Sequence, residues 1–377
     1  MEKGMRLSAL GRWLACVTAA LTIGALAGCK DETDKPKPSF MNVGEFSVNT
    51  KADYTEVRDG AGRKLALIPR GGARPAGFGP SEVVEVPVRR VVAYRAFEVG
   101  IMAALGVSDT LVGVTDPERK WTRADVRRGF AEGRIAYVGD STKVDFERIR
   151  AQHPDLVMTW DPSIVPMMDS LGIPVVVTST PVATCLATHL RFVEFIAPFF
   201  GKEAEGRAYY RRVAAALEEI RARTKGMPPP KAMWGDIYEK RVLVEPGNAW
   251  VAELIGLAQS DYLFDDVYGT SCVEISTERF IYSGRDADIY FTYRTPDKGA
   301  TSKATLARTN PLIGRLKPLG PDGKVYAPLP GYAQSADHLD DVLVEISAIL
   351  HPQAYPGRKL AYFTELPDVD PPQPERN

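Results

Sequence analysis

Of 377 residues only four are cysteine and four are histidine. Iron–sulfur clusters and bare zinc or manganese sites need several such side chains converging, so neither is expected. No Gly-x-Ser-x-Gly elbow, Gly-x-x-x-x-Gly-Lys-Ser/Thr phosphate loop, His-Glu-x-x-His helix or Cys-x-x-Cys pair occurs. Gly60-Ala61-Gly62 lacks the third glycine and the following helix of a dinucleotide loop. Charge of one sign is also lacking: a net of −1 argues against a nucleic-acid binder. The apolar stretch from Trp13 to Leu26 is too short for an easy membrane span. Together these absences point away from an enzyme.

What is present is an ordinary globular composition, 45% hydrophobic and 25% charged, on a chain long enough for two domains with separate cores. The N-terminus has the parts of an export signal: a basic start (Lys3, Arg6, Arg12), the apolar stretch, and small residues at its end. Leu26-Ala27-Gly28-Cys29 resembles a bacterial lipobox, in which the Cys29 thiol is acylated and becomes the new N-terminus. Residues 1–28 therefore read as a lipoprotein signal peptide and 29–45 as a tether, rich in Lys, Asp and Pro at its start. Loss of the signal, with its net charge of +2, takes the chain from −1 to −3. Cys185 and Cys272 then remain, in different lobes by the reading below, and are expected to be single thiols.

Tyr54-Thr55-Glu56-Val57 and Lys64-Leu65-Ala66-Leu67-Ile68, flanking Asp59-Gly60-Ala61-Gly62, predict an edge hairpin. Short apolar runs follow at Arg90–Ala93, Leu111–Val114, Ala136–Val138, Leu156–Thr159 and Val175–Val177, with helical patterns at Phe97–Leu105, Phe146–Gln152 and Ile164–Leu171 between them. This alternation predicts a parallel α/β lobe over residues 46–201. A second cycle predicts a lobe over 226–352, with strands at Ala232–Trp234, Arg241–Val244, Ile289–Phe291 and Lys324–Tyr326 and helices at Trp250–Ala258, Lys303–Leu316 and Ala336–Leu350. Between them, residues 202–225 carry Tyr209, Val213, Leu217 and Ile220 on one helical face and end at Pro228-Pro229-Pro230, which predicts a single long helix joining the lobes. Residues 353–377 read as a C-terminal tail, its end rich in proline and charge.

Taken in order, these stretches resemble the substrate-binding proteins of ABC importers for siderophores, haem and cobalamin. Arg89-Arg90-Val91-Val92-Ala93, the helix ending Ala103-Ala104-Leu105-Gly106-Val107, and Leu111-Val112-Gly113-Val114 are similar to that family's opening strand, helix and strand. Val144-Asp145-Phe146-Glu147-Arg148-Ile149 followed by Pro154-Asp155-Leu156-Val157, Trp250 to Ala258, Ile275-Ser276-Thr277-Glu278-Arg279, and Asp288-Ile289-Tyr290-Phe291 also resemble it, over about residues 52–352. The resemblance implies two Rossmann-like α/β lobes with parallel sheets, a joining helix and a ligand cleft between the lobes. It implies a lipid-anchored protein of the cell envelope, facing the periplasm or exterior, that hands cargo to a permease and its ATPase. It also implies one docking carboxylate on each lobe, by position Glu147 and Glu253, which would steer encounter with permease arginines.

Ligands of open α/β sheets bind beyond the C-terminal ends of the strands. That rule nominates Tyr94, Arg95 and Trp160 in the first lobe, with Trp121 more loosely, and Trp234, Tyr238, Tyr293, Arg294 and Tyr332 in the second. Aromatic rings can lie flat on a macrocycle or chelate, and cations pair with its negative charge. Trp250, at a helix start, reads either as a cleft residue or as a cap on the second core. His338, beside Asp337, is the imidazole placed nearest a cleft. Arg95 and Arg294 favour an anionic ferric siderophore, but corrinoids and haem carry anionic groups too and Tyr94 could ligate haem iron, so cobalamin ranks next and haem third. The cargo would carry its own iron or cobalt, with no cofactor or metal bound directly, in a monomer. Other readings are a surface scaffold lipoprotein or a metal-cluster enzyme of nitrogenase-like plan.

Overall fold

The computed structural model describes residues 39–181, 184–238, 241–309 and 311–370, without the side chains of Tyr238 and Thr309. The signal, Cys29 and the start of the tether lie outside the described residues. Five strands open the chain: β1 (Ser39–Val43), β2 (Phe46–Thr50), β3 (Thr55–Arg58), β4 (Lys64–Pro69) and β5 (Val83–Val86). They form one sheet in sequence order, antiparallel except for the parallel β4–β5 pair. The expected hairpin is β3–β4, with Val57 opposite Leu65, but it lies inside the sheet rather than at an edge, because β2 pairs with β3 and β5 with β4. The lobe boundary expected at residue 46 moves to Ser39, because Val43, Phe46 and Val48 are buried and give the first hairpin an apolar face.

The first lobe is built on β6 (Val91–Ala93), β7 (Leu111–Val114), β8 (Ala136–Tyr137), β9 (Leu156–Thr159) and β10 (Val175–Val177). All pair in parallel in the order β10-β9-β6-β7-β8. A parallel sheet covered on both faces needs strands apolar on both faces, and every residue of β6, β7, β9 and β10 is buried. Helices α1 (Ala96–Ala104), α2 (Ala124–Ala131), α3 (Phe146–Ala151) and α4 (Val165–Ser170) make the crossovers.

Helix α5 (Leu186–Phe200) ends at Gly201, whose φ of +63° closes its C-terminus, and α6 (Glu203–Thr224) follows. Its buried face carries Tyr209, Val213, Leu217 and Ile220, the positions expected from the sequence.

The second lobe contains β11 (Lys231–Tyr238), β12 (Arg241–Val244), α7 (Trp250–Leu257), β13 (Asp261–Tyr262), β14 (Val273–Ile275), α8 (Thr277–Gly284), β15 (Ile289–Phe291), α9 (Lys303–Thr309), β16 (Lys324–Pro328), α10 (Leu339–Leu350) and β17 (Phe363–Glu365). Its sheet is mixed: β11 pairs in parallel with β13 and β15, and β15 with β16, whereas β12, β14 and β17 join antiparallel. Three expectations change here. The helix expected over 303–316 stops at Thr309, since Pro311 cannot continue it, and two 3-10 turns follow. The helix expected from Ala336 begins at Leu339, after 3-10 turns at Tyr332–Gln334 and Ala336–His338. The tail expected from residue 353 instead returns as β17 on the edge of β16. The buried carboxylate of Glu345 pins it by accepting from the backbone N–H groups of Ala361, Tyr362 and Phe363 at 2.7, 2.8 and 2.8 Å.

Candidate functional site

A cavity of about 810 Å3 opens between the lobes, at the C-terminal ends of the first lobe's strands. Arg95, Trp160 and Thr178 reach it directly after β6, β9 and β10. Glu245, after β12, and Tyr332, after β16, face it from the second lobe. The centre of the wall is aromatic. His189 of α5 stacks on Phe97 of α1, with centroids 5.0 Å apart, and lies parallel to Trp250 of α7 at 4.5 Å. This ladder runs from one lobe to the other. Burial, with Arg95 adding, pushes the His189 pKa down to about 3, so its imidazole is neutral at physiological pH.

The charges of the cavity are largely balanced within the protein. Arg95 Nε donates to Glu98 Oε1 at 2.8 Å, and the same oxygen accepts from the Thr178 hydroxyl at 2.7 Å. Glu98 is buried, so this pair is a fixed part of the wall. Burial also raises the pKa of Glu245 above the ordinary glutamate value.

The lobes are fastened beside the cavity. Gln334 Oε1 accepts from the Thr122 N–H and hydroxyl, both at 3.0 Å, while its Nε2 donates to Lys120 O at 2.8 Å. Arg123 Nη1 donates to Asp337 Oδ1 at 2.9 Å and to Gln334 O at 3.1 Å. The linking helix adds hydrogen bonds from Tyr209 to Ala336 O and from Arg212 to Asp337 O.

Of the residues nominated from the sequence, the cavity brings together Arg95, Trp160 and Tyr332. Tyr94 is buried in the first lobe's core, where it does not line the cavity. Trp121 is also buried, its Nε1 donating to Asp116 O at 3.0 Å. Trp234 stacks in the second core on Phe291 at 4.5 Å. Arg294 turns inward to Asp236 Oδ2 at 2.8 Å and to Ile237 O. Tyr293 packs against the main core. The Tyr238 side chain lies outside the described residues. Consecutive residues at a strand end point oppositely, which is why Arg95 enters the cavity while Tyr94 does not.

Glu147 is exposed on α3. Glu253, expected as its solvated counterpart, instead accepts from the Leu186 N–H at 2.8 Å and caps α5, because that helix start needs acceptors. His338 is exposed and does not line the cavity; His189 does. Cys185 and Cys272 are both free. Sequence reasoning missed Phe97 and His189, which are helix-borne and carry no strand-end signal, Phe46, which opens a strand outside the parallel sheets, and Glu245, whose place directly after β12 was a strand-end signal left unused. Among the described residues no group of three or more His, Cys, Asp or Glu could hold a metal ion.

A family model described as "Periplasmic binding protein" matches residues 91–318. An uncharacterized lipoprotein of Methanocaldococcus jannaschii is 26% identical over 293 residues, covering 75% of this chain and 70% of its own. Among solved structures, a periplasmic heme-binding protein from Pseudomonas aeruginosa is 18% identical at a TM-score of 0.57, covering 74% of this chain and 98% of that one. The periplasmic vitamin B12-binding protein BtuF of Vibrio cholerae is 17% identical at 0.52, covering 72% and 99%. CeuE of Helicobacter pylori, in a nickel–histidine complex, is 16% identical at 0.58, covering 81% and 91%. At these identities the structures are similar to this chain in fold.

Proposed function

Since the chain belongs to the periplasmic binding protein family, whose members bind solutes and are not enzymes, we propose that it is the solute-binding lipoprotein of an ABC importer, capturing a bulky metal chelate between its lobes for delivery to the permease. The observation that carries this reading is the aromatic ladder of Phe97, His189 and Trp250 across a cavity of about 810 Å3. Flat apolar rings suit a macrocycle or chelate, and the volume is within the range of small-molecule sites, ~300–1,000 Å3.

The cargo is a ferric siderophore or a cobalamin-type corrinoid. Arg294 is committed to Asp236 and Arg95 to Glu98, so the cations that argued for a strongly anionic chelate are already paired. This supports an uncharged or weakly charged complex, and moves the corrinoid and the neutral ferric chelates ahead. Haem is a second reading, supported by the neutral imidazole of His189 at the cavity wall. Acylation of Cys29 would hold the protein at the membrane, and Glu147 would meet the permease.

Titrating the intrinsic tryptophan fluorescence of the full chain with ferric ferrioxamine B, cyanocobalamin and haemin tests this. Saturable quenching by one of them, weakened at least tenfold by Trp160→Ala or Trp250→Ala, is the expected result. No response to any would remove the importer reading in favour of a scaffold.

A further inference from the structure

The matched family region begins at residue 91, so the sheet formed by β1 to β5, residues 39 to 86, precedes it. That sheet reaches the cavity at Phe46 and, at a second point, braces residues that line it. Phe46, the first residue of β2, lines it beside Phe97 and Phe192. Its ring lies 5.2 Å from Phe192 and 4.5 Å from Phe195, both on α5, the helix that carries His189. The position is set by the turn before it. Gly44 has φ +66°, and a Cβ there would come within 2.2 Å of the Thr188 hydroxyl, so the β1–β2 turn is pressed against α5 one residue from His189.

The second point is the β3–β4 turn. Gly60 N donates to Val177 O at 2.9 Å, and Val177 N donates to Asp59 Oδ2 at 3.1 Å. A Cβ on Gly60 would sit 1.8 Å from Ser179 O. The turn therefore holds the end of β10 and the residues after it, among them Ser179 and Thr180, which face the cavity. Asp59 is fully buried and also accepts from the N–H groups of Ala61 and Arg63, so the turn is rigid where it touches.

We infer that the leading sheet backs the ligand cavity, and that Phe46, packed at the cavity's edge with 2% of its surface exposed, is a specificity-determining residue that sets the size of cargo admitted at that end. Asp59 and Gly60 are positioning residues for Ser179 and Thr180. The inference rests on the proposal that this cavity holds the cargo. It assigns a ligand contact to a segment outside the family region, and it gives that segment a use beyond covering α5.

The test compares the wild-type full chain in detergent with Phe46→Leu, Phe46→Trp and Val57→Ala, titrated with ferric ferrioxamine B, cyanocobalamin and haemin. Val57 is fully buried in the same sheet and does not line the cavity, so it reports what destabilising the sheet does by itself. The expected result is a change of at least fivefold in the ratio of affinities between the largest and smallest probe that bind, toward the larger in Phe46→Leu and toward the smaller in Phe46→Trp. Val57→Ala should lower the melting temperature and leave the ratio unchanged. An unchanged ratio in both Phe46 variants, or an equal shift in Val57→Ala, overturns the assignment while leaving the cavity as the cargo site. Absence of binding by every probe to the wild type overturns the cargo site itself, and this assignment with it.

Discussion

The imidazole of His189 lies parallel to the indole of Trp250, with centroids 4.5 Å apart and an interplanar angle of 0°, and the two rings come from different lobes. Trp250 N–H also donates to Thr184 O at 3.0 Å, so the start of α7 is tied to the start of α5 by backbone as well as by ring. Replacing Trp250 with Ala should lower stability by about 1–3 kcal/mol and abolish most cargo quenching. Trp250→Phe should recover most of the stability. Urea titrations of the three proteins check this.

The neutral His189 makes stability depend on pH. Above pH 6.5 neither folded nor unfolded chain holds a proton on this ring, and its contribution is intact. Between 6.5 and about 3 the unfolded chain takes up a proton that the folded chain refuses, so stability falls as pH falls. The slope is about 1.4 kcal/mol per pH unit. His189→Phe lacks that slope, and Glu245, whose raised pKa acts in the opposite sense, is common to both proteins. Unfolding free energies measured at pH 7.5, 6 and 5 should therefore converge toward, or cross, those of the variant as pH is lowered.

Arg294 is expected to matter for folding. Asp236 is buried with a side chain 1% exposed, and Arg294 is its cationic partner at 2.8 Å. Arg294→Ala should cost about 3–5 kcal/mol by leaving a buried carboxylate unpaired. Cargo affinity of the protein that remains folded should stay within twofold. Thermal melts together with fluorescence titration separate the two effects.

Glu345 supplies the acceptors for three consecutive backbone N–H groups at the start of β17. Glu345→Ala should cost about 2–4 kcal/mol, because those donors lose their partners in a dry interior. Hydrogen exchange at residues 361–365 should rise by at least tenfold.

β6, β7, β9 and β10 were legible because each is buried on both faces and reads as an unbroken apolar run, as in Val175–Val177. The linking helix was legible through the spacing of Tyr209, Val213, Leu217 and Ile220. β1 and β2 were hidden, since Ser39, Asn42, Ser47 and Asn49 interleave polar side chains with the few that are buried. β17 was hidden by a tail of proline and charge, and its anchor, Glu345, lies on another element. In the site, strand ends identified Arg95 and Trp160, but whether a ring turns to the cavity or the core depends on strand orientation that single residues do not encode. Tyr94 and Trp234 fell on the core side for that reason.

The hydrogen bonds of Gln334 and Arg123 run from one lobe to the other between protein groups alone. None requires an occupant in the cavity, so the protein itself sets the angle between its lobes. Under the proposed function, loaded and empty molecules would then present nearly one outline to the permease. A transporter reading that outline would be occupied by empty copies in proportion to their abundance, and uptake driven by a large excess of protein over cargo would slow as more protein is added.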